Sequence, residues 1–582
     1  MASEAFDAVV IGAGLHGIIA AKTYVQVDPN IKLLIVDAAS TIGGTWSEER
    51  LYDGLKTNNF VGNYEFSDLA MPGKQGVHTT GQVVHDYLKG YADKFDLTRR
   101  IRFNTKVEVV ERVQDNQWRL TAVSTANSLT PTTPMTIICD KLIVATGLTS
   151  DPFIPKIPGD GSFDAPIVHS KTLGEYAPSL LKSASSVTVY GAKKSAHDTV
   201  HLFASQGIKV NWVIRKSSGS GPGWLASTKP MFPGASFDQV PFVRALTWMS
   251  PCIWGDADGF GWIRGFLNGT RLGRWVLAGF WSTAEKTLVQ DNGYDTHPKL
   301  QKLKPWCGPF WSGASAGALN FSTDFFELVK SDKVDIHIAD ISRITSKTIH
   351  LSTGESIPTD ALICCTGWYD TPPFKVLPEG IEGEMGLPYP LLKADALVAK
   401  ADKEILQRFP ILAAQPSMYK AEPKTNPFRL YRFIAPPTDT LDRSIVFMGI
   451  DATTGTAMCG ELQALWAVAY LTGKLVLDKK TPEERARSGR TSFEDERLWE
   501  TVLSSRFGRW RSPAGYGGRF PDMIFEGLPY QDLLLRDLGM KYRRKGSLWR
   551  ELFTPYTVRD YKGLVDEWMV TIGSASPTTR TY

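Results

Sequence analysis

The feature that most constrains the fold is a glycine-rich turn at residues 12–17, which reads Gly-Ala-Gly-Leu-His-Gly. An apolar run with the length of a buried parallel strand precedes the turn, a helical run follows it, and a second apolar run ends in Asp37. In such a unit Gly12 permits the tight turn, Gly14 lets backbone amides approach a pyrophosphate, and Gly17 lets the helix pack on the strand. Asp37, 20 residues past Gly17, is placed to accept a ribose hydroxyl. The pattern predicts a βαβ unit that holds a dinucleotide at the positive end of the helix.

Length and composition limit what else the chain can be. Its 582 residues exceed what one hydrophobic core supports, so we expect roughly three or four domain-sized units. The apolar fraction of 43% is that of an ordinary globular protein, and the net charge of +4 is too small to argue for binding to nucleic acid or to an acidic membrane. None of the six cysteines has a partner at metal-ligand spacing, so we expect reduced thiols and no metal site.

Two further features bear on location. The first predicted strand begins within ten residues of the start, which leaves no room for a signal peptide. No apolar run approaches the ~18 residues of a membrane span. The expectation is a cytoplasmic protein without a transmembrane segment.

A second pattern, Gly-Gly-Thr-Trp at residues 43–46, follows Asp37. Its glycines allow close backbone contact with a flat ligand and Trp46 offers a stacking face, although a surface loop with a packed Trp gives the same pattern. A Tyr-Asp-Gly-Leu-Lys-Thr-Asn stretch then ends at Asn58. Together the three patterns resemble the class B flavoprotein monooxygenases, which include flavin-containing, Baeyer–Villiger and N-hydroxylating enzymes. The resemblance covers about residues 6–475 apart from an insertion, and is closest to monooxygenases of fungal secondary metabolism.

The resemblance implies FAD as the first cofactor. It carries the family's FAD contacts onto Gly12, Gly14, Gly17, Asp37, Gly44, Thr45, Trp46, Asn58, Val107, Thr146, Gly147, Asp451 and Gln463. Thr146 and Gly147 belong to the Ala-Thr-Gly with which the family leaves its flavin domain. Gln463 belongs to a Glu-x-Gln-Ala-x-Trp run whose helix start faces the flavin in the flavin-containing branch.

Asn58 is the residue for which the resemblance implies a catalytic role. The Baeyer–Villiger branch usually has Asp here, following an Arg at the position of Lys56, whereas the flavin-containing branch has the Thr-Asn pair beside the reactive edge of the flavin. In the family the reduced flavin captures O₂ as a C4a-hydroperoxide, whose distal oxygen passes to the substrate. An Asn can form hydrogen bonds but cannot exchange a proton, which favours the electrophilic form of that species.

A third family fingerprint, FxGxxxH followed by an aromatic residue, is altered in this chain. Phe163 and His169 are kept, but Ala165 replaces the Gly and Leu173 replaces the aromatic residue. The alteration argues against an ordinary Baeyer–Villiger enzyme. We expect His169 to fix the junction between two domains, with a direct chemical role as the alternative.

A second dinucleotide unit is predicted around the turn at residues 191–196. Its second strand ends before Arg215 and Lys216, which stand where Asp37 stands in the first unit. A base at this position suits a 2′-phosphate, whereas an acid suits a free hydroxyl, so NADPH is predicted rather than NADH. The predicted contacts are Gly191, Lys194, Ser195, Arg215 and Lys216. Lys193 replaces the middle Gly, and we expect its Cβ to hold the pyrophosphate off the backbone while its ammonium compensates in part.

Residues 219–320 resemble the family least and hold eight of the chain's 17 tryptophans. Segments 245–254 and 262–281 are predicted as helices with aromatic faces. Three interpretations stay open: an insertion that packs its tryptophans on the parent domain, a lid over an apolar substrate pocket, and an in-plane contact with a membrane. The lid is favoured over the membrane because the Lys and Arg residues are scattered.

The predicted fold is α/β, with two dinucleotide-binding (Rossmann-like) domains in three layers, a Trp-rich insertion and a helical C-terminal tail. The predicted ranges are 1–150 and 368–479 for the FAD-binding domain, 151–218 and 321–367 for the NADPH-binding domain, 219–320 for the insertion and 480–582 for the tail.

The leading hypothesis for function is an FAD- and NADPH-dependent monooxygenase. It would insert one atom of O₂ into a lipophilic small organic substrate, such as a natural-product intermediate. One alternative is Baeyer–Villiger oxygenation of a ketone. The other is a flavoprotein oxidase or binding protein whose nicotinamide site is degenerate, and Lys193 is its best support.

Overall fold

The glycine-rich turn of residues 12–17 lies in an eight-stranded sheet. The computed structural model describes residues 3–113, 116–126, 134–217, 221–227, 235–390, 395–416, 425–438, 440–475 and 493–574. With strands numbered along the chain, this first sheet consists of β1 (Ser3–Ile11), β2 (Leu33–Val36), β5 (Ile101–Arg102), β6 (Thr105–Arg112), β7 (Trp118–Ser124), β8 (Met135–Val144), β19 (Lys375–Leu377) and β20 (Ile445–Phe447). The spatial order is β19-β6-β7-β8-β1-β2-β5, and β20 also pairs with β8.

The centre of this sheet is parallel. β1 pairs in parallel with β2 on one side and with β8 on the other. Val9, Val10 and Ile143 are fully buried, as expected of strands covered on both faces. The register brings the carboxyl ends of β1, β2, β8 and β20 to one edge of the sheet.

The second sheet is parallel throughout. Its strands are β9 (Ile167–His169), β10 (Ser186–Tyr190), β11 (Lys209–Ile214), β14 (Val334–Ile338) and β18 (Leu362–Cys364). They lie in the order β14-β11-β10-β18-β9. A turn that begins with a glycine, Gly191, follows the central strand here, as the turn from Gly12 does in the first sheet, so the predicted α/β fold with two Rossmann-like units is confirmed.

Short strands and helices complete the described structure. The short strands are β3 (Lys56–Phe60), β4 (His78–Thr80), β12 (Leu225–Ala226), β13 (Gly317–Ala318), β15 (Ile341–Thr345), β16 (Thr348–Leu351), β17 (Ser356–Pro358), β21 (Ala452–Thr453) and β22 (Asp522–Met523). The helices are α1 (Leu15–Val27), α2 (Gly81–Lys94), α3 (Leu173–Ser183), α4 (Lys194–Ala204), α5 (Arg244–Thr247), α6 (Gly261–Gly269), α7 (Arg271–Asp291), α8 (Pro298–Leu303), α9 (Phe325–Lys330), α10 (Glu382–Met385), α11 (Ala396–Arg408) and α12 (Thr456–Leu471). Four more follow: Phe493–Arg511, Gly527–Asp537, Leu548–Phe553 and Leu564–Ser574.

The C-terminal helices pack into the core of the first unit. α12 is buried along its length and packs on α1, and the helix Gly527–Asp537 packs on α12. Tyr530, Leu534 and Trp568 are fully buried in the same cluster as α1. The predicted tail is helical, as expected, but it shares the core of the first unit. Its treatment as a separate segment stays a prediction, and residues 476–492 lie outside the described residues.

The insertion differs from the prediction in its helices. Segment 245–254 is helical only in its first turn, because Pro251 lacks an N–H and disfavours helix at the residue before it. Segment 262–281 is two helices, α6 and α7, divided at Thr270, whose hydroxyl accepts the Gly273 N–H at 3.0 Å. Asn268-Gly269-Thr270 is a local signal of this break, because Gly ends helices and Thr is a common N-cap, whereas apolar periodicity alone favoured one helix. No helix in the described ranges is both long and apolar enough to cross a bilayer.

Candidate active site

A cavity of about 1120 Å³ opens at the carboxyl ends of the parallel strands in the first sheet. It is lined by Ile11, Val36 and Ala145, where β1, β2 and β8 end, and by Gly449 after β20. Open α/β sheets bind ligands at this edge. The volume is at the upper end of the ~300–1,000 Å³ of small-molecule sites, as a dinucleotide requires.

The glycines around the cavity are of two kinds. Gly12 has a φ of +112°, and a Cβ on it would overlap the carbonyl oxygen of Ala145. A Cβ on Gly17 would overlap the carbonyl oxygen of Gly12. Gly14, with a φ of −79°, would bring its Cβ no closer to the protein than 3.6 Å, at the Cα of Gly44. Packing within the protein therefore requires glycine at residues 12 and 17 but not at residue 14, which borders the open cavity.

The N-terminus of α1 faces the cavity without a side-chain cap. Its first N–H groups and the helix dipole both favour an anion. Two buried atoms on the cavity wall, His16 Nε2 and Thr146 Oγ1, have no hydrogen-bond partner among the described residues. Because buried polar atoms are normally paired, the site fits the polar groups of a bound dinucleotide such as FAD.

Asp37 is held in place at the end of β2. Its two carboxylate oxygens accept the N–H groups of Ala13 at 2.6 Å and Ala39 at 2.8 Å. Burial raises the pKa of this carboxyl despite those bonds. Each oxygen keeps a free lone pair on the cavity side, which suits a ribose diol. Val107 lines the same cavity.

The Gly-Gly-Thr-Trp run forms part of the cavity wall rather than an ordinary surface loop. Gly44, Thr45 and Trp46 all line the cavity, and Trp46 is 9% exposed. The Trp46 indole N–H donates to the Tyr64 hydroxyl at 2.9 Å, which fixes the ring.

Asp451 closes the other end of the cavity. Gln463 on α12 does not line the cavity; its Nε2 donates to Asp451 Oδ1 at 2.9 Å and to the Tyr530 hydroxyl at 3.2 Å. Tyr530 in turn donates to the carbonyl of Arg432 at 2.6 Å. Gln463 is fully buried, so it can act on a cofactor only by orienting Asp451.

Most of the residues predicted to contact FAD lie at this cavity. The lining includes Gly12, Gly14, Asp37, Gly44, Thr45, Trp46, Val107, Thr146, Gly147 and Asp451. Gly17 and Gln463 lie behind the wall, and Asn58 does not line the cavity. The contacts themselves stay predictions.

Two cations on the wall were missed by sequence reasoning. Arg50 and Lys171 line the cavity, and burial lowers the pKa of Arg50 to about 10 and also lowers that of Lys171. The Arg50 guanidinium stacks on Trp368 at 5.2 Å. Arg50 lies outside the quoted motifs and Lys171 fills an unspecified position of the altered fingerprint, two residues after His169. Only their proximity in the fold places two positive charges beside a site suited to phosphates.

His169 is a structural residue in this structure. Its Nδ1 accepts the Lys171 N–H at 3.1 Å, so its Nε2 carries the proton and donates to the carbonyl of Gly367 at 3.0 Å. Burial lowers the pKa of His169 to about 4, which keeps the ring neutral. Its ring packs edge-on against Trp368 at 4.8 Å. Both nitrogens are engaged, as expected of a residue that fixes a junction.

Asn58 lies on β3, and the next residue, Asn59, is hydrogen-bonded to the loop that leads into the cavity wall. The amide of neighbouring Asn59 donates to the Thr454 carbonyl at 2.7 Å, two residues before Thr456 on the cavity wall. Asn58 Oδ1 accepts the N–H of Ala318 at 3.4 Å, and its side chain is exposed. Its Nδ2 donates to no described residue, so a donor remains available at the edge of the site.

An aromatic cluster lies at the end of β3. This strand, whose pairing with β4 shifts register between Lys56 and Phe60, ends two residues after Asn58 at Phe60. The Phe60 ring contacts His78 at 4.6 Å and Phe237 at 5.3 Å. Burial lowers the pKa of His78, so the three rings form a neutral, largely apolar surface. Asp238 anchors the insertion here by accepting the Phe60 N–H at 3.0 Å.

The second unit places its predicted residues around the N-terminus of α4. Gly191 has a φ of +149°, and a Cβ on it would overlap the carbonyl oxygen of Cys365. Lys194 pairs with Asp198 and donates to Asn320 Oδ1 at 2.9 Å. Ser195 is exposed in the first turn of α4. Arg215 and Lys216 follow β11, half-exposed and exposed respectively. Their contact with NADPH stays a prediction.

The insertion contacts the second glycine-rich turn directly. The Gly223 N–H donates to the Ala192 carbonyl at 2.8 Å, and the β12–β13 pair lies beside it. The Lys193 side chain packs toward Gly223 and Ser315, and burial lowers its pKa to about 8. The part of its ammonium in binding the pyrophosphate stays a prediction.

Comparisons with known proteins agree with this geometry. Residues 9–228 match the family model described as pyridine nucleotide-disulphide oxidoreductase. The FAD-dependent monooxygenase resA of Aspergillus sclerotiorum is 35% identical, over 97% of this chain and 98% of that protein. The chain belongs to the FAD-dependent monooxygenases. A second such monooxygenase, rstn6 of Aspergillus nomiae, is 34% identical over 98% of this chain and 99% of its own length.

The fold of this monooxygenase also matches solved structures. Cyclohexanone monooxygenase from Rhodococcus sp. Phi1, bound to NADP+, aligns with a TM-score of 0.58 over 93% of this chain and 99% of that one. The identity is 18%, so this likeness shows the fold alone. Family membership confirms the predicted flavin monooxygenase and its FAD cofactor.

Proposed function

We propose that this monooxygenase takes its electrons from NADPH and inserts one atom of O₂ into a lipophilic small organic molecule beside Asn58. The other oxygen atom leaves as water, and NADP+ is released. The natural substrate class that fits is a natural-product intermediate, because the curated relatives are fungal enzymes. The observation that carries the proposal is the open Asn58 donor, two residues along β3 from Phe60, whose ring contacts His78 and Phe237.

The cavity supports a position for each part of FAD. The α1 N-terminus, bordered by Gly14, receives the pyrophosphate, and Asp37 receives the ribose hydroxyls. Arg50 and Lys171 offset negative charge from the phosphates. When bound, FAD supplies hydride acceptance and O₂ activation.

The second unit supports NADPH as the electron donor. Arg215 and Lys216 follow β11 with no carboxylate within ion-pair distance in the described part of the chain, so both can meet a 2′-phosphate. The α4 N-terminus has no side-chain cap. Entry of the nucleotide pyrophosphate there requires the segment around Gly223 to move away from Ala192.

Asn58 supports the electrophilic mode of oxygen transfer. An amide donates a hydrogen bond but accepts no proton at neutral pH, so it does not generate the anionic nucleophile that a ketone requires. The neutral rings at the end of β3 bind apolar groups by burial and keep water from the reacting atoms. An electron-rich sulfur, nitrogen or carbon is therefore the expected acceptor.

The test uses the FAD-loaded enzyme with NADPH under ¹⁸O₂, with thioanisole as the thioether probe and cyclohexanone as the ketone probe. The proposal predicts ¹⁸O in a sulfoxide and none in a lactone. A lactone as the main product would assign the Baeyer–Villiger reaction instead. Hydrogen peroxide with no labelled product from either probe would assign an oxidase.

The same assay tests Asn58. Asn58→Ala should retain yellow FAD and divert NADPH oxidation to hydrogen peroxide, because the donor at the reacting edge is lost. Asn30→Ala, which changes an exposed Asn remote from the cavity, is the matched control and should keep its coupling. Normal coupling in Asn58→Ala would remove this residue from the mechanism.

A further inference from the structure

We propose that the hairpin of α6 and α7, together with the helix Leu548–Phe553, docks this protein on the surface of an anionic lipid bilayer. The docking surface, called the aromatic face below, consists of Trp262, Phe266, Leu272, Trp275, Val276, Leu548, Trp549 and Phe553. Each of these side chains is exposed. The inference is independent of the substrate and of the reaction proposed above.

α7 presents one apolar side to solvent. Leu272, Trp275 and Val276 follow the three- and four-residue spacing of one helix face, and Trp275 is 73% exposed. Leu277 and Gly273 on the other side are buried. A Cβ on Gly273 would overlap the backbone of α6, so the two helices pack closely. The side chains of Leu272, Trp275 and Val276 therefore stay exposed, although the opposite side of α7 already packs on α6.

α6 and the short helix add to the same kind of surface. Trp262 is 75% exposed, and Phe266 lies one turn further along α6. On the short helix Trp549 is 72% exposed, and its ring contacts Phe553 at 4.4 Å. Monomeric proteins rarely expose contiguous apolar patches of this kind without a partner.

The short helix adjoins the hairpin through α5. Arg244 on α5 pairs with Glu551 on the short helix at 2.8 Å, and both are buried. Trp248, directly after α5, contacts Phe260, directly before α6, at 5.2 Å. Both parts of the aromatic face are thus fixed to one rigid element.

Cations outnumber acids around the aromatic face, although the exposed Asp256 carboxylate lies at the start of α6, beside Gly261. Residues 259–284 contain three Arg and no Asp or Glu. Arg264 is buried against Asp258, but Arg271 and Arg274 have no carboxylate within ion-pair distance in the described part of the chain. Lys541 and Arg550, near the short helix, are likewise exposed without such a partner there.

A lipid surface explains the combination better than a protein partner does. Trp rings favour the headgroup level of a bilayer, and Arg and Lys beside them are attracted to anionic lipids. A second copy of this chain, related by a two-fold axis, would bring the same cations together, which is unfavourable. Because no described helix is suited to span a membrane, the contact lies in the plane of the interface.

The experiment uses the full-length, FAD-loaded protein in a vesicle sedimentation assay. The two probes are phosphatidylcholine vesicles and vesicles of phosphatidylcholine mixed with phosphatidylserine. The wild-type protein should bind the mixed vesicles more tightly. Trp262→Ala with Trp275→Ala should weaken binding to both by at least about tenfold, because two large apolar side chains no longer enter the interface.

A second variant tests how much the exposed cations contribute to binding. Arg271→Gln with Lys541→Gln and Arg550→Gln should weaken binding to the mixed vesicles by about fivefold for each cation, and leave phosphatidylcholine binding nearly unchanged. The matched control, Lys74→Gln with Lys89→Gln and Lys182→Gln, removes equal charge from other exposed positions and should change neither.

Three outcomes overturn the inference. One is wild-type protein that does not bind the mixed vesicles. Another is equal loss of binding in the lysine control, which would reduce the effect to net charge. The third is a stable wild-type dimer, seen by sedimentation velocity, that the tryptophan variant converts to monomer, because the aromatic face would then be covered by a second copy.

Discussion

Replacing Gly14 by Ala should separate cofactor binding from folding. Gly14 has a negative φ, and an added Cβ would come no closer than 3.6 Å to the protein, at Gly44 Cα. The folded protein therefore has room for the methyl group, and the loss of a Gly at this N-cap costs at most about 1 kcal/mol. The methyl group would occupy the space beside the α1 N-terminus that a pyrophosphate needs.

The expected effect on FAD affinity is much larger than the effect on stability. If the pyrophosphate is displaced, about two hydrogen bonds from backbone N–H groups to a charged acceptor are lost. Each is worth about 1.5–3 kcal/mol, so the dissociation constant should rise by roughly a hundredfold or more. Titration of the apoprotein with FAD by flavin fluorescence measures this change directly, and denaturant unfolding of the apoprotein measures stability.

Two other glycines serve as controls for the added methyl group. Gly90→Ala on α2 meets nothing within 4 Å, so it should leave FAD affinity unchanged and stabilise the helix by about 0.5–1 kcal/mol. Gly17→Ala would overlap the Gly12 carbonyl and should destabilise the fold itself. Wild-type FAD affinity in Gly14→Ala would refute the placement of the pyrophosphate at α1.

Two more predictions concern the second unit and the buried acid of α12. Arg215→Ala with Lys216→Ala should raise KM for NADPH by at least the equivalent of ~1 kcal/mol for each lost charge-assisted bond. KM for NADH should stay unchanged, and steady-state kinetics with both nucleotides measures the difference. Equal loss with both nucleotides would contradict the 2′-phosphate assignment. Burial raises the pKa of Glu461 to about 8 from 4.5, so between these values the folded state holds a proton that the unfolded state releases, and stability falls as pH rises. Glu461→Gln should remove this fall in thermal unfolding between pH 4.5 and about 8; an unchanged pH slope would rule out Glu461 as its source.

Local sequence was enough for the two nucleotide units. In each unit, strand, turn and helix follow one another within about 25 residues. Residues 12 and 191 both have positive φ angles, which favour glycine. The acid at Asp37 and the bases at Arg215 and Lys216 come directly after strands, so their place at the edge of a parallel sheet follows from the register of short-range elements. The family resemblance added FAD to the first of these units. Family membership confirms FAD as the cofactor, and its place in this unit stays a prediction.

Contacts between distant segments could not be predicted in the same way. Arg50 and Lys171 both line the cavity and Arg50 stacks on Trp368, although the three residues lie far apart in the chain and no spacing predicts their contact. The outward direction of Trp262 on α6 and Trp275 on α7 is also a product of packing.

The sequence by itself determined the elements, their order and the glycine turns, because these depend on backbone conformation and apolar periodicity within a few residues. Only the tertiary structure decided which face of each element is covered. Burial depends on neighbours that come from anywhere in the chain. The shifted pKa values, the buried polar atoms without partners and the exposed aromatic rings all follow from burial. In this monooxygenase, the chemistry of the cavity and the aromatic face both arise from tertiary packing.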